Sequence, residues 1–198
     1  SQTNPQSTLS PQVPVEANIP MIVLWARRCI DDEFLVLKTM EQIETHAVHP
    51  HGRAEMIKQD PFPILLTMLE RYAASTTILS AVSRVFHHFL KDTSCAPLLI
   101  DDVAACQKLT SALVLHQHSA VVLSTGFGAL VEFAKCVLNS RMMAQQGFVD
   151  YALGVCQVHR RDPGVINPAL RLCHAICVVF PEARERAIRG GALALGLR

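Results

Sequence analysis

Charge is scarce and nearly balanced in this 198-residue chain: 18% of the residues are charged and the formal net charge is +1. No run of five like charges occurs. The sequence therefore lacks the basic stripe by which a protein grips a nucleic-acid backbone or an anionic membrane. Long apolar runs are missing too, since none reaches the roughly 18 residues of a membrane-spanning helix. Aromatics amount to 6%, with Trp25 the single tryptophan, so the core must be built mainly from Ala, Val, Leu and Ile. Ser1 to Asn18 show no cationic start followed by an apolar block and do not read as a secretory signal. Nor is a disulfide framework indicated. Cysteines number seven, an odd count, and Cys29, Cys106, Cys136, Cys156, Cys173 and Cys177 fall in helix-like apolar stretches. A free thiol there serves as a small hydrophobe. This usage points to a reducing compartment, the cytoplasm or another intracellular one.

What the chain does have is apolar residues, at 50%, and a repeat. Ile57, Ile100, Ala144 and Ile188 are separated by 43, 44 and 44 residues, and Leu66, Leu109, Leu153 and Leu197 each follow nine residues later. A period of roughly 40–47 residues is the mark of stacked helical repeats, in which each unit buries its apolar face on its neighbours. Leu109 and Leu153 are the expected buried anchors of successive second helices.

Residues 1–18 are rich in Gln, Ser, Thr, Asn and Pro without helical period, and read as an extended or disordered arm. Residues 19–198 read as one helical repeat domain. A partial unit at 19–50 carries two helices, Ile19 to Ile30 and Asp31 to Val48, closed by the break His49-Pro50-His51-Gly52. The unit at 52–94 is expected to hold helices over Arg53 to Gln59, Phe62 to Ala74 and Thr76 to Lys91. The unit at 95–140 follows with Ala96 to Val103, Ala104 to His118 and Ala120 to Asn139. The unit at 141–180 has Arg141 to Gln146, Phe148 to Arg160 and Pro168 to Phe180, and a truncated copy fills 181–198. Gly147 and Gly191 share one place, the bend after the short first helix, where positive φ carries no penalty for glycine. Asp60 and Val103 hold that place in the earlier copies.

The stretches "AQQGFVDYALGVC" (Ala144 to Cys156) and "AIRGGALALGL" (Ala187 to Leu197) resemble the junction between the first two helices of armadillo repeats, an apolar-x-x-Gly-apolar-x-x-apolar-apolar pattern. HEAT repeats share the period without the obligatory glycine bend. The resemblance, which covers roughly residues 19–198, implies an all-α, right-handed superhelical solenoid whose third helices line a concave groove. In the nuclear-import and catenin branches a ladder of Trp and Asn in that groove holds extended peptides. This chain has neither the tryptophans nor regular asparagines on its third helices, which argues against recognition of basic import signals.

Individual residues offer little chemistry. Among the nine histidines, His87-His88 and His116-x-His118 diverge on a helix, and only His49 and His51 are free to converge from a loop. Cys173 and His174 are helix neighbours pointing in different directions, with no third group to orient a nucleophile. The glycines at 126, 128, 190 and 191 match no phosphate-binding loop. No catalytic, cofactor or metal residue is assigned. The polar sides of the third helices remain, with Arg84, His87, His88, Lys91, Glu132, Lys135, Asn139 and Arg171 as the groove candidates.

These readings converge on a non-enzymatic scaffold or adaptor that binds another protein, as a peptide or helical segment, through the groove, a terminal surface or both. The rival readings are an enzyme or metal-dependent factor using the histidine-rich surface, and a helical array binding nucleic acid. The last copy breaks off within a helix pattern and "GALALGL" has no polar cap, so the sequence reads as a fragment of a longer array. Leu193, Leu195 and Leu197 are the expected sticky terminal surface, open to self-association.

Overall fold

The computed structural model describes residues 18–92 and 103–191. Among the described residues there are eleven helices and no strand, so the protein is all-α as its periodicity predicts. The helices are α1 (Ile19–Arg28), α2 (Glu33–Ala47), α3 (Pro50–Ile57), α4 (Phe62–Arg71), α5 (Thr76–Leu90), α6 (Val103–Leu115), α7 (Ala120–Phe133), α8 (Val137–Gln145), α9 (Phe148–Val158), α10 (Pro163–Val179) and α11 (Pro181–Arg189). The arm before Asn18, most of the expected helix Ala96 to Val103, and Leu193, Leu195 and Leu197 lie outside the described residues.

Four helices open at one repeated position. Asp32, Ser75, Ser119 and Asp162 are the N-caps of α2, α5, α7 and α10, at intervals of 43, 44 and 43 residues. The Asp32 carboxylate accepts from the Leu35 N–H at 3.1 Å and Asp162 from the Gly164 N–H at 2.9 Å, satisfying amides that the first helical turn leaves free. These four helices form a row in which α2 packs on α5, α5 on α7 and α7 on α10, while α1, α4, α6 and α9 pack respectively against them. The core runs through the row. Phe86 of α5 and Phe133 of α7 are fully buried with ring centroids 5.9 Å apart. Leu109 and Leu153 are buried, as expected of anchors, and Leu66 is half-buried. The other column is not a core column: Ile57 and Ala144 are half-buried and Ile188 is 54% exposed.

The turns between the flanking and row helices carry a second repeat. The Tyr72 hydroxyl donates to the Ile30 carbonyl at 2.8 Å, the His116 ring meets the Ala73 carbonyl at 2.6 Å, and the His159 ring meets the Gln117 carbonyl at 3.1 Å. A carbonyl only accepts, so both imidazoles carry their proton on Nε2. Each rung links one copy to the preceding one, 42 or 43 residues earlier.

Backbone conformation bears out the glycine bend. Gly147 has φ +73° and Gly191 φ +84°, and Asp60, at the matching place, is forced into the same region at φ +47°. Val103 instead opens α6. Several boundaries differ from expectation. The sequence His49-Pro50-His51-Gly52 does not break the chain but starts α3, because a proline at the first helical position needs no N–H. Likewise α10 begins at Pro163, capped by Asp162, with Pro168 inside it rather than at its start. The helix expected from Ala120 to Asn139 is two. α7 ends at Phe133, and α8 starts at Val137, where Asn139 Nδ2 donates to the Phe133 carbonyl at 3.2 Å and Ser140 Oγ to the Ala134 carbonyl at 2.7 Å. Those two side chains satisfy carbonyls at the end of α7, which lets a helix stop without glycine or proline.

Candidate functional site

The row helices and the residues just after them carry equivalent positions on one helical face, at intervals of 43, 44 and 43 residues. Along one line run Glu41, Arg84, Gly128 and Arg171; along the next, Glu44, His87, Val131 and His174; along a third, Val48, Lys91, Lys135 and Val178. All twelve are exposed or half-buried, in contrast to the buried apolar residues between them.

Within this surface the helices are tied together by polar contacts. Arg84 of α5 makes a two-pronged bond to Glu44 of α2, Nε to Oε1 at 2.6 Å and Nη2 to Oε2 at 2.9 Å. His87 Nδ1 lies 3.0 Å from the Gly128 carbonyl of α7, which makes Nδ1 the protonated nitrogen. Burial, aided by the ammonium of Lys91, pulls the His87 ring below the ordinary imidazole range, and burial does the same to His88. Lys91 and Arg171 are exposed. Of the expected groove residues, Arg84, His87, His88, Lys91, Lys135 and Arg171 thus fall on this side. Two do not present a polar face. Glu132 is buried at 3% exposure beneath the Lys135 ammonium, and Asn139 is fully buried on α8, not on a row helix, where it caps the end of α7. Asn139 was expected outward because helical spacing was carried through residue 139 as one helix, whereas Glu132 lies on α7 itself and is covered despite its spacing. Glu41, Glu44, Val131 and His174 were missed, although the 43/44-residue interval from Arg84, His87 and Arg171 leads to each.

The remaining sulfur and nitrogen groups are placed for packing. Cys29, Cys106, Cys156, Cys173 and Cys177 are buried free thiols, and Cys136 is half-buried. Burial pushes Cys106 and Cys173 up to about 12 and Cys156 to about 11, far from the thiolate state a nucleophile requires. Cys173 is buried while His174 is exposed, so the two do not form a pair. His49 and His51 sit at the start of α3 rather than in a loop. Among the described residues, no group of three or more His, Cys, Asp or Glu side chains is placed to hold a metal ion. No described helix is long and apolar enough to cross a membrane. Arg53 reaches the Ala47 and Val48 carbonyls at 2.9 Å and Asp92 at 3.3 Å, a structural role no sequence pattern signals. No protein-family model, curated protein or solved structure matches this chain.

Proposed function

We propose that the chain is an armadillo-like solenoid scaffold that binds an extended segment of another protein across α2, α5, α7 and α10. The observation that supports this reading is the set of equivalent exposed or half-buried positions, four deep and repeated at 43 and 44 residues, along the row. Neighbouring helices in contact lie about 8–10 Å apart, and an extended chain advances about 3.3 Å per residue. A segment crossing the row would meet one helix with roughly every third residue. Arg84 is held in place by Glu44 and His87 by Gly128, so the surface is ordered before a partner arrives, which lowers the entropy cost of binding. The mixed apolar and charged character of the three lines suits a peptide better than a small molecule.

Selection of a displayed random-peptide library on the immobilised protein tests the proposal. Selected peptides are expected to lose binding to Lys91→Glu and Arg171→Glu variants and to keep it for Lys108→Glu, whose ammonium pairs with Glu70 on the flanking helices. Peptides indifferent to the first two substitutions, or no selected peptide at all, would overturn it.

A further inference from the structure

The cations of this protein, scattered along the sequence, separate into two populations once their partners are known. Among the described residues, seven of the ten lysines and arginines up to Lys135 have a carboxylate within 4.0 Å: Lys38, Arg53, Lys58, Arg71, Arg84, Lys108 and Lys135. Of the seven arginines from Arg141 to Arg189, Arg189 alone has one among the described residues, Glu185 at 3.9 Å. The sequence shows the same division. Beyond Lys135 there is no lysine, and eight arginines face only Asp150, Asp162, Glu182 and Glu185. Among the described residues, most cations of the first part have a carboxylate partner and most of those in the last part do not.

Two of these arginines meet at one cleft. A concavity of about 300 Å³ lies between α8 and the α10–α11 corner, bounded by Arg141, Gln145, Phe180, Glu182 and Arg186 together with two alanines. The Arg141 guanidinium stacks over the Phe180 ring, 5.7 Å from its centroid. That contact holds the fork in position instead of leaving it to wander in solvent. Neither Arg141 nor Arg186 has a carboxylate within 4.0 Å among the described residues, although Glu182 lines the same cleft. Arg189 follows Arg186 at three residues, on the same side of α11.

We propose that this cleft, separate from the row surface, docks a carboxylate side chain from an acidic segment of a partner protein. Guanidinium groups match a carboxylate two-pronged, which explains why arginine rather than lysine stands here. Glu182 fits the same occupant, since it accepts a backbone N–H of the docked segment. A nucleic-acid phosphate fits less well. The cleft takes a side chain rather than a strand.

Fluorescence anisotropy with a labelled decaglutamate peptide at low ionic strength tests the site, with an oligothymidylate as the phosphate probe and circular dichroism melts confirming intact folding. Saturable decaglutamate binding is expected, weakened about tenfold by Arg186→Glu and several-fold by Arg141→Lys, which keeps the charge and loses the fork. Lys108→Glu, on the flanking helices, is expected to change it less than about twofold. Three results each overturn the proposal: no saturable binding, equal loss from Lys108→Glu, or oligothymidylate binding as tightly as decaglutamate.

Discussion

Gly52 lies against the carbonyl group of His46 with no room between them for a side chain. A Cβ at Gly52 would stand 3.0 Å from the His46 carbonyl carbon and closer still to its oxygen, both of them backbone atoms that cannot swing aside. This approach is what lets α3 fold back beside the end of α2, and it explains a glycine in the third position of a helix. Gly128 on α7 is the opposite case, since a Cβ there would meet nothing nearer than His87 Nδ1 at 3.9 Å.

The two glycines are therefore expected to respond to alanine with opposite signs. Gly52→Ala should destabilise the fold by about 1–3 kcal/mol, overpacking outweighing alanine's better helix propensity. Gly128→Ala should stabilise it by about 0.5–1 kcal/mol, because only the propensity gain remains. Urea unfolding of both variants checks this. A Gly52→Ala protein as stable as the parent would mean that α3 does not pack where it is described.

Asp60 offers a second pair. It holds a left-handed conformation that Gly147 and Gly191 adopt freely at the matching places. Asp60→Gly should relieve that strain and raise stability by about 0.5 kcal/mol, the gain being trimmed by the greater freedom of an unfolded glycine. The converse change, Gly147→Ala, should cost about 1–2 kcal/mol. Arg27 bonds the Asp60 carbonyl at 3.2 Å rather than its side chain, so that contact survives the substitution. Thermal melts in which the two changes shift stability in the same direction would contradict the strain argument.

His87 sets a pH dependence. Its ring is held neutral by burial, with Lys91 in support, and donates from Nδ1 to the Gly128 carbonyl. An imidazole whose affinity for protons is lower in the folded than in the unfolded state lets the unfolded chain take up the proton first. Stability from this residue is therefore fully present above about pH 6.5, the ordinary imidazole value, and is lost as the pH falls through that value toward the folded ring's own titration. His88 acts with the same sign. The fall in melting temperature between neutral and mildly acidic buffer should be smaller in His87→Gln than in the parent. Equal falls would show that burial of the His87 ring is not what makes the fold sensitive to acid.

The sequence conveyed the helices far better than their ends. Leu109 and Leu153 could be recognised as anchors because a core leucine recurs wherever the packing recurs, and the bend could be located because positive φ selects glycine. The boundary between α7 and α8 left no such trace. It depends on Asn139 and Ser140 capping carbonyls six residues back, and both lie inside the next helix, away from the position at which Asn or Ser marks a helix end. That omission is also why Asn139 was expected on the exposed side. The bonds of Arg84 to Glu44 and His87 to Gly128 span 40 and 41 residues. Their partners become visible only when the copies are laid side by side.

The rungs from Tyr72, His116 and His159 all lie along one margin of the molecule, at the turns leading into α5, α7 and α10. Each fastens a side chain to the main chain of the copy before it. Toward the other ends of the row helices, Arg53 to Asp92, Arg84 to Glu44 and His87 to Gly128 also join one copy to the next. Tension applied along the row would therefore meet cross-links near both ends of its helices. The row should stretch as a laced panel, resisting any wedge-like opening at one border.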